Sequence, residues 1–366
     1  MTSPAFTAFD HQMMARALQL AELGRFTTKP NPMVGCVLVR DDQIVGEGWH
    51  QRAGEAHAEI NALKDAGDAA RGATAYVTLE PCAHTGRTGP CADALIDAGV
   101  VKVVAAMRDP FPEVAGQGFE KLRAAGIEVA EGLMEAQARV LNRAFFSRVE
   151  RGRPWLRVKL GVSLDGRTAL ANGDSKWITS AESREDVHRW RARCGALLTG
   201  AGTVLADDPH LTVRLQDEAD FVAPIRVILD PGLATVARGN VRQGDVPTMY
   251  FHAPDAKAPR DIALQRHPVP VARGMLDLKE VLAELGRREI NEVQVETGAT
   301  LAGAFMRSGL VDELLIYVAP VLLGDTARPM FDGLGIAAMT DALKLKLVDT
   351  REVGPDMRLL LQPETT

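Results

Sequence analysis

The sequence predicts two α/β units in tandem, the first of them a three-layer α/β/α sandwich. Three observations point there. The 366 residues exceed what one compact core organises. Strand-like and helix-like patterns alternate through both halves. Between them, residues 147–154 (SRVERGRP) form a charged stretch with a Gly and a Pro. The expected division is therefore 1–147 and 148–366.

In the first half, 10–23 (DHQMMARALQLAEL) places Met13, Met14, Ala17, Leu18 and Ala21 on one face of a helix opened by Asp10. Val34–Arg40 and Ile44–His50 flank Asp41-Asp42-Gln43 and read as a hairpin. A helix follows over 56–66, a strand over 75–79, a helix over 91–98 and a strand over 100–107. In the second half strands are expected at 155–160, 196–199, 225–229, 292–295, 313–318 and 357–361. Helices are expected at 181–193 and 298–308. Residues 231–275, rich in Pro, Gly and Ala, fit no clean element.

Composition narrows the function. Hydrophobic residues are 46% and charged residues 25%, the balance of a globular chain. Net charge is −6, with 15 basic against 19 acidic residues in 1–150 and 27 against 29 in 151–366. Neither half is a cationic platform, so a nucleic-acid partner is not expected. No apolar run approaches the ~18 residues of a spanning helix, and MTSPAFTAFDHQ has no apolar signal segment, so neither a membrane partner nor export is expected. The expected location is cytoplasmic. There thiols stay reduced, and a close cysteine pair is first a metal candidate.

That pair is Cys82 and Cys91, preceded by His57-Ala58-Glu59. One His and two Cys leave the fourth position of tetrahedral zinc open, which is the layout of a catalytic site. Zinc lowers the pKa of bound water to ~7. Glu59, two residues from the ligand His, can shuttle a proton without ligating. The pattern follows the zinc-deaminase signature H-x-E…P-C-x-x-C, except that eight residues separate the cysteines. That departure argues against a nucleic-acid editor. The insert, with His84 and Arg87, suits a polar small molecule. Taken singly, a His beside a Glu is usually solvated surface and a cytoplasmic Cys usually apolar filler; their conjunction carries the metal reading. Cys36 and Cys194 read as packing residues.

Five segments of the first half, Lys29-Pro-Asn-Pro-x-Val-Gly35, Gly46-Glu-Gly-x-His50, His57-Ala-Glu59, Thr78-Leu-Glu-Pro-Cys82 and His84-x-Gly-Arg-Thr-x-Pro-Cys91, resemble the deaminase half of the bifunctional RibD family of riboflavin biosynthesis. In the second half Lys159-Leu-Gly-x-Ser-Leu-Asp-Gly-Arg167, Ser175-x-Trp-Ile-Thr179, Thr203-Val-Leu-Ala-Asp-Asp-Pro209, Leu211-Thr-Val-Arg214 and Glu296-x-Gly-x-Thr-Leu-x-Gly303 resemble its reductase half. The resemblance runs from about residue 10 to 362. It implies a cytidine-deaminase-like domain followed by a dihydrofolate-reductase-like domain. It implies zinc-dependent loss of the 2-amino group of 2,5-diamino-6-(5-phosphoribosylamino)pyrimidin-4(3H)-one, then NADPH-dependent reduction of the ribosyl chain to ribityl. By resemblance His57, Cys82 and Cys91 hold zinc, Glu59 shuttles the proton, and Asn31, His50 and His84 belong to the pocket.

Read for itself, 293–303 is strand, glycine turn and helix start, where backbone N–H groups favour phosphate. A bare Gly-x-x-x-x-Gly is more often plain helix–strand packing, and the Rossmann fingerprint is missing. The resemblance makes Gly298, Ala299, Thr300, Leu301, Ala302, Gly303 and Ala304 an NADPH pyrophosphate loop. It adds Gly161, Trp177, Thr203 and Asp207 as cofactor contacts, and Ser175, Arg191, Leu211, Arg214 and Glu296 as substrate contacts. Arg191 on its own, in the Arg-rich REDVHRWRAR, reads as solvated. Lys159 and Glu296 are the expected charged pair beside the carbon that accepts hydride. Asp230-Pro231 has no hydroxyl at 231, where some family members carry Ser. The expected partner is a phosphorylated pyrimidine, in a homo-oligomer (dimer or tetramer). The competing reading is a nucleoside or tRNA zinc deaminase fused to an unrelated reductase.

Overall fold

The computed structural model describes residues 6–83, 89–111, 115–217, 219–237, 239–257, 264–272 and 274–364. Among these the chain separates into two compact units, Met1–Arg151 and Gly152–Thr366. The separation falls inside SRVERGRP, four residues beyond the expected one. The segment is not irregular throughout, because its first five residues end a helix.

The first unit begins with α1 (Ala8–Glu22), β1 (Gly35–Arg40), β2 (Gln43–Trp49), α2 (Ala58–Ala66) and β3 (Thr74–Val77). It continues with α3 (Cys91–Asp97), β4 (Lys102–Ala105), α4 (Gln117–Ala124), β5 (Glu128–Glu131), α5 (Glu135–Leu141) and α6 (Arg143–Arg151). The strands order as β2-β1-β3-β4-β5, antiparallel around β1 and parallel from β3 to β5. Alternation along β1 makes the three layers. Val37 and Val39 pack with Met13, Met14 and Phe146 on one face; Cys36 and Leu38 pack with Ala58, Ala62 and Leu95 on the other.

Two local readings are corrected. Thr7, not Asp10, caps α1: its hydroxyl accepts from the Asp10 N–H, and Asp10 bonds back to the Thr7 N–H at 2.8 Å. The hairpin turn is the two residues Asp41-Asp42, both at positive φ, with Gln43 already in β2.

The second unit runs β6 (Trp155–Ser163), β7 (Arg167–Ala169), α7 (Ala181–Arg193), β8 (Ala196–Gly200), α8 (Ala201–Asp207) and β9 (Ile225–Leu229). Next come β10 (Thr248–His252), β11 (Gln265–Pro268), β12 (Val271–Ala272), β13 (Met275–Leu276) and α9 (Leu278–Arg287). It closes with β14 (Glu292–Glu296), α10 (Ala299–Arg307), β15 (Glu313–Ala319), β16 (Arg328–Pro329), β17 (Leu345–Val353) and β18 (Asp356–Pro363). Nine strands form one sheet, β11-β10-β9-β8-β14-β6-β15-β18-β17, parallel up to β15 and antiparallel at β18 and β17. This is the dihydrofolate-reductase-like fold. The unassigned 231–275 contains β10, whose Tyr250 and Phe251 are fully buried. Helix α9 carries its own signal, an Asp277 cap followed by buried Leu278, Val281, Leu282 and Leu285.

Candidate active sites

In the first unit the start of α2 positions two groups at once. His57 is its N-cap, in extended conformation, and Glu59 lies buried in the first turn. Cys91 opens α3, and Cys82 lies beyond the end of β3. The three ligand atoms lie within 4.8 Å of one another. His57 Nδ1 is 3.6 Å from Cys82 Sγ and 3.3 Å from Cys91 Sγ. Tetrahedral zinc, at its usual bond lengths, separates such N and S atoms by about 3.5 Å. The donor set therefore fits the metal in chemistry and in spacing.

The charges agree with that fit. Cys82 is drawn down to about 4 by the Cys91 thiol and, against burial, by His57 and the Cys91 N–H, which donates to its sulfur at 3.3 Å. Cys91 is pushed up, as the second sulfur of a pair holding one proton. Burial pushes Glu59 up to about 7, with the Cys82 charge adding to it. This is the range in which a carboxyl exchanges protons near neutrality. His50 and His57 meet edge to face at 5.4 Å. His50 Nδ1 lies 3.1 Å from the Ala56 carbonyl, which makes it the donor and leaves Nε2 to accept from Asn31 Nδ2 at 3.1 Å. His50 thus stands beside His57, and Asn31 is bonded to His50. His84 lies outside the described residues.

Sequence reasoning gave Glu80 no role, although it sits between Thr78 and Cys82. Its buried carboxylate accepts from the N–H groups of Asp109, Gly116, Gly118 and Phe119 at 2.9–3.4 Å, fixing the start of α4. Gly118 in turn lies so close to the Pro81 carbonyl that a Cβ would come within 1.9 Å of its oxygen. A Glu at the end of an apolar strand was the available signal.

In the second unit a cleft of about 1070 Å³ opens along the C-terminal ends of β8, β14 and β6. Lys159, Gly161, Ser175, Arg191, Thr203, Asp207, Leu211 and Glu296 all line it. So do Gly298, Ala299, Thr300 and Leu301, the N-cap and first turn of α10. The rest of the expected loop does something else. Ala302, Gly303 and Ala304 are buried, and a Cβ on Gly303 would lie 2.0 Å from the Asp332 carbonyl oxygen. The motif divides: its first half faces the cleft and its second half is tight packing.

Arg191 is not solvated: its Nε and Nη2 donate to both oxygens of Glu296 at 2.6 and 2.7 Å, and its Nη1 donates to the Thr212 carbonyl at 2.8 Å. The partner that grips Glu296 is therefore Arg191 rather than Lys159. Burial opposes the Glu296 charge, yet Arg191, Lys159 and Gln294 hold it down to about 2. Burial draws Lys159 below the usual ammonium range, against the pull of Glu296. Trp177 stands outside the lining, 69% exposed, with Arg184 4.4 Å from its ring centre. Arg214 is exposed and lies against His188, also outside the lining. Pro231 lines the cleft and offers it no hydroxyl.

Residues 7–107 match the family described as cytidine and deoxycytidylate deaminase zinc-binding region, and residues 154–359 match RibD C-terminal domain. The riboflavin biosynthesis protein RibD of Escherichia coli is 49% identical over 362 residues, covering 96% of this chain and 99% of that one. Its counterpart from Bacillus amyloliquefaciens is 43% identical, covering 96% and 95%. Among solved structures, Acinetobacter baumannii RibD superposes with a TM-score of 0.91 at 45% identity, covering 98% and 99%. A Thermotoga maritima protein, described as a diaminohydroxyphosphoribosylaminopyrimidine deaminase/5-amino-6-(5-phosphoribosylamino)uracil reductase, gives 0.85 at 34%, covering 97% and 99%. Zinc and NADPH are the cofactors of the two domains so matched. No helix among the described residues is long and apolar enough to cross a membrane. Full-length agreement with both domains in this order leaves no room for a deaminase joined to an unrelated reductase, and the chain belongs to the RibD family of bifunctional deaminase–reductases of riboflavin biosynthesis.

Proposed function

We propose that the first unit removes the 2-amino group of 2,5-diamino-6-(5-phosphoribosylamino)pyrimidin-4(3H)-one as ammonia. The second unit then reduces the ribosyl chain of 5-amino-6-(5-phosphoribosylamino)uracil. The observation that carries this is the pairing, in one chain, of an open His-Cys-Cys donor set beside a buried carboxyl with a cleft that ends on a helix N-terminus. The domain limits, expected at 147/148, are better drawn at 151/152, where the compact units part.

Zinc, when bound by His57, Cys82 and Cys91, supplies Lewis-acid activation of water. Glu59 has the burial and the raised pKa to take a proton at neutral pH and return it to the departing amine. Asn31 and His50, joined by a hydrogen bond, orient the pyrimidine. NADPH supplies the hydride for the second reaction. The N–H groups at 298–301 would hold its pyrophosphate, and Gly161, Thr203 and Asp207, which line the same cleft, would contact the rest of it. Lys159 and Glu296 stand at the sugar end, Glu296 held anionic by Arg191 and Lys159 positioned to hand over a proton. Ser175 and Leu211 complete the substrate wall.

The protein acts as a homo-oligomer in the cytoplasm. Strand β17, at the sheet edge, exposes Leu347 and Val348, which favours pairing with a second copy. Free cysteines as zinc ligands suit a reducing compartment. One preparation assayed for ammonia release from the diaminopyrimidine, and for NADPH oxidation on the deaminated product, tests the whole reading. Neither activity in a zinc-loaded sample would overturn it.

A further inference from the structure

We propose that Arg328 is the phosphate-binding cation of the reductase cleft, a residue that makes the site selective for a phosphomonoester. The proposal rests on the reductase reading above and deepens it. Among the described residues, three cations line the cleft: Lys159, Arg191 and Arg328. Arg191 is bidentate on Glu296 and bonded to the Thr212 carbonyl. Lys159 is half-buried and feels the Glu296 charge. Arg214, the other arginine expected to contact the substrate, lies outside the lining. Arg328 alone of the three is exposed, and no carboxylate stands in ion-pair contact with it among the described residues. A guanidinium fork without an acid partner, in a cleft that takes phosphorylated ligands, is chemically matched to a phosphate dianion.

Its placement is built rather than incidental. Arg328 pairs with Ala169 across the short β7–β16 ladder. That ladder is tied down from both sides. Asp165 accepts from the Leu323 and Gly324 N–H groups at 3.1 and 2.8 Å, and Thr168 Oγ1 donates to the Pro329 carbonyl at 3.2 Å. The guanidinium lies across Gly173, where a Cβ would fall 3.0 Å from its Nη2. Gly173 has φ of 94°, so glycine serves both the backbone and the room for the arginine. Ser175, an expected substrate contact, is two residues further on and lines the same cleft. Three residues beyond Pro329, the Asp332 N–H donates to the Ala299 carbonyl at the start of α10. Arg328 therefore stands between the Ser175 loop and the helix N-terminus, where the 5-phosphate of the pyrimidine and the 2′-phosphate of NADPH are the two available dianions.

The test uses full-length zinc-loaded protein, wild type and Arg328→Ala, with Arg328→Lys as the conservative variant. NADPH oxidation on 5-amino-6-(5-phosphoribosylamino)uracil gives KM and kcat for both ligands. Ribose 5-phosphate and adenosine 2′,5′-bisphosphate serve as separate competitive probes. Loss of a charge-assisted phosphate contact should raise KM for one ligand, and weaken the matching probe, by about 10- to 100-fold, with kcat changed much less. The Lys variant should recover part of the loss. A loss confined to ribose 5-phosphate assigns Arg328 to the substrate; one confined to the bisphosphate assigns it to the cofactor; both support the proposal. Wild-type activity with all four constants unchanged in Arg328→Ala overturns it and leaves the reductase reading standing. A wild-type protein that does not oxidise NADPH overturns the reading, and the proposal with it.

Discussion

The two sites are built in opposite ways. The zinc site is local: a helix start supplies His57 and Glu59, another helix start supplies Cys91, and one loop supplies Cys82. The reductase cleft is assembled from β6, β7, α7, β8, α8, β14, α10 and β16, and its central ion pair joins residues 105 positions apart. A local site can be lost by changing one ligand without disturbing the fold, whereas the assembled site also contributes to the stability of its unit.

The sharpest break of that contrast is Cys82→Ser. A hard hydroxyl replaces a soft thiolate, so zinc and ammonia release should both be lost, while NADPH oxidation on the deaminated intermediate persists. Metal analysis beside the two assays decides it; full zinc occupancy with normal deamination would remove Cys82 from the ligand set. Glu59→Gln comes next. It keeps the shape and removes the titrating proton, so deamination should fall ~100–10,000-fold with zinc retained. Loss of NADPH oxidation in the same folded, zinc-loaded sample would mean the two sites are coupled.

The same contrast explains what was legible in the sequence. His57, Glu59, Cys82 and Cys91 stand in short motifs whose chemistry reads directly, and the structure brings all four together. The hairpin and the apolar face of α1 were legible for the same reason, since their periodicity is a near-neighbour property. In the second unit the motifs were recognisable but their geometry was not. Nothing near Arg191 reveals that its partner is Glu296, and an Arg-rich helix reads as solvated until a strand from far along the chain arrives beside it. Elements such as β10 escaped because buried parallel strands in a Pro- and Gly-rich region show no alternation. Strand β17 escaped although its hairpin with β18 is long, its apolar residues being spread over an exposed edge.

The ion pair gives the third prediction. Arg191→Met leaves Glu296 buried without its main counter-charge, which should cost roughly 3–5 kcal/mol in the second unit. The pH dependence has a definite sign. Glu296 titrates at about 2 when folded and near 4.5 when unfolded, so its stabilisation is complete above about pH 4.5 and is lost as pH falls towards 2. In Arg191→Met that loss should begin at higher pH. Tryptophan fluorescence in denaturant follows it, because Trp155, Trp177 and Trp190 all belong to the second unit. An unchanged midpoint with only a raised KM for phosphorylated substrate would show that Arg191 serves the ligand instead.

The smallest effect separates two glycines of one motif. A Cβ at Gly298 meets nothing within 4 Å, whereas at Gly303 it would press on the Asp332 carbonyl. Gly303→Ala should therefore destabilise the second unit by about 1–3 kcal/mol, since a backbone carbonyl cannot move aside as a side chain does. It should leave the KM for NADPH almost unchanged, because Gly303 is buried away from the cleft. Gly298→Ala should do the reverse. Stability falls by at most about 1 kcal/mol through the poorer N-cap, while the methyl group stands at the N–H groups offered to the pyrophosphate and raises the KM. Thermal unfolding and NADPH titration of both variants check the pair. If Gly303→Ala weakens NADPH as much as Gly298→Ala does, the motif acts as one loop after all, and the assignment of its second half to packing is wrong.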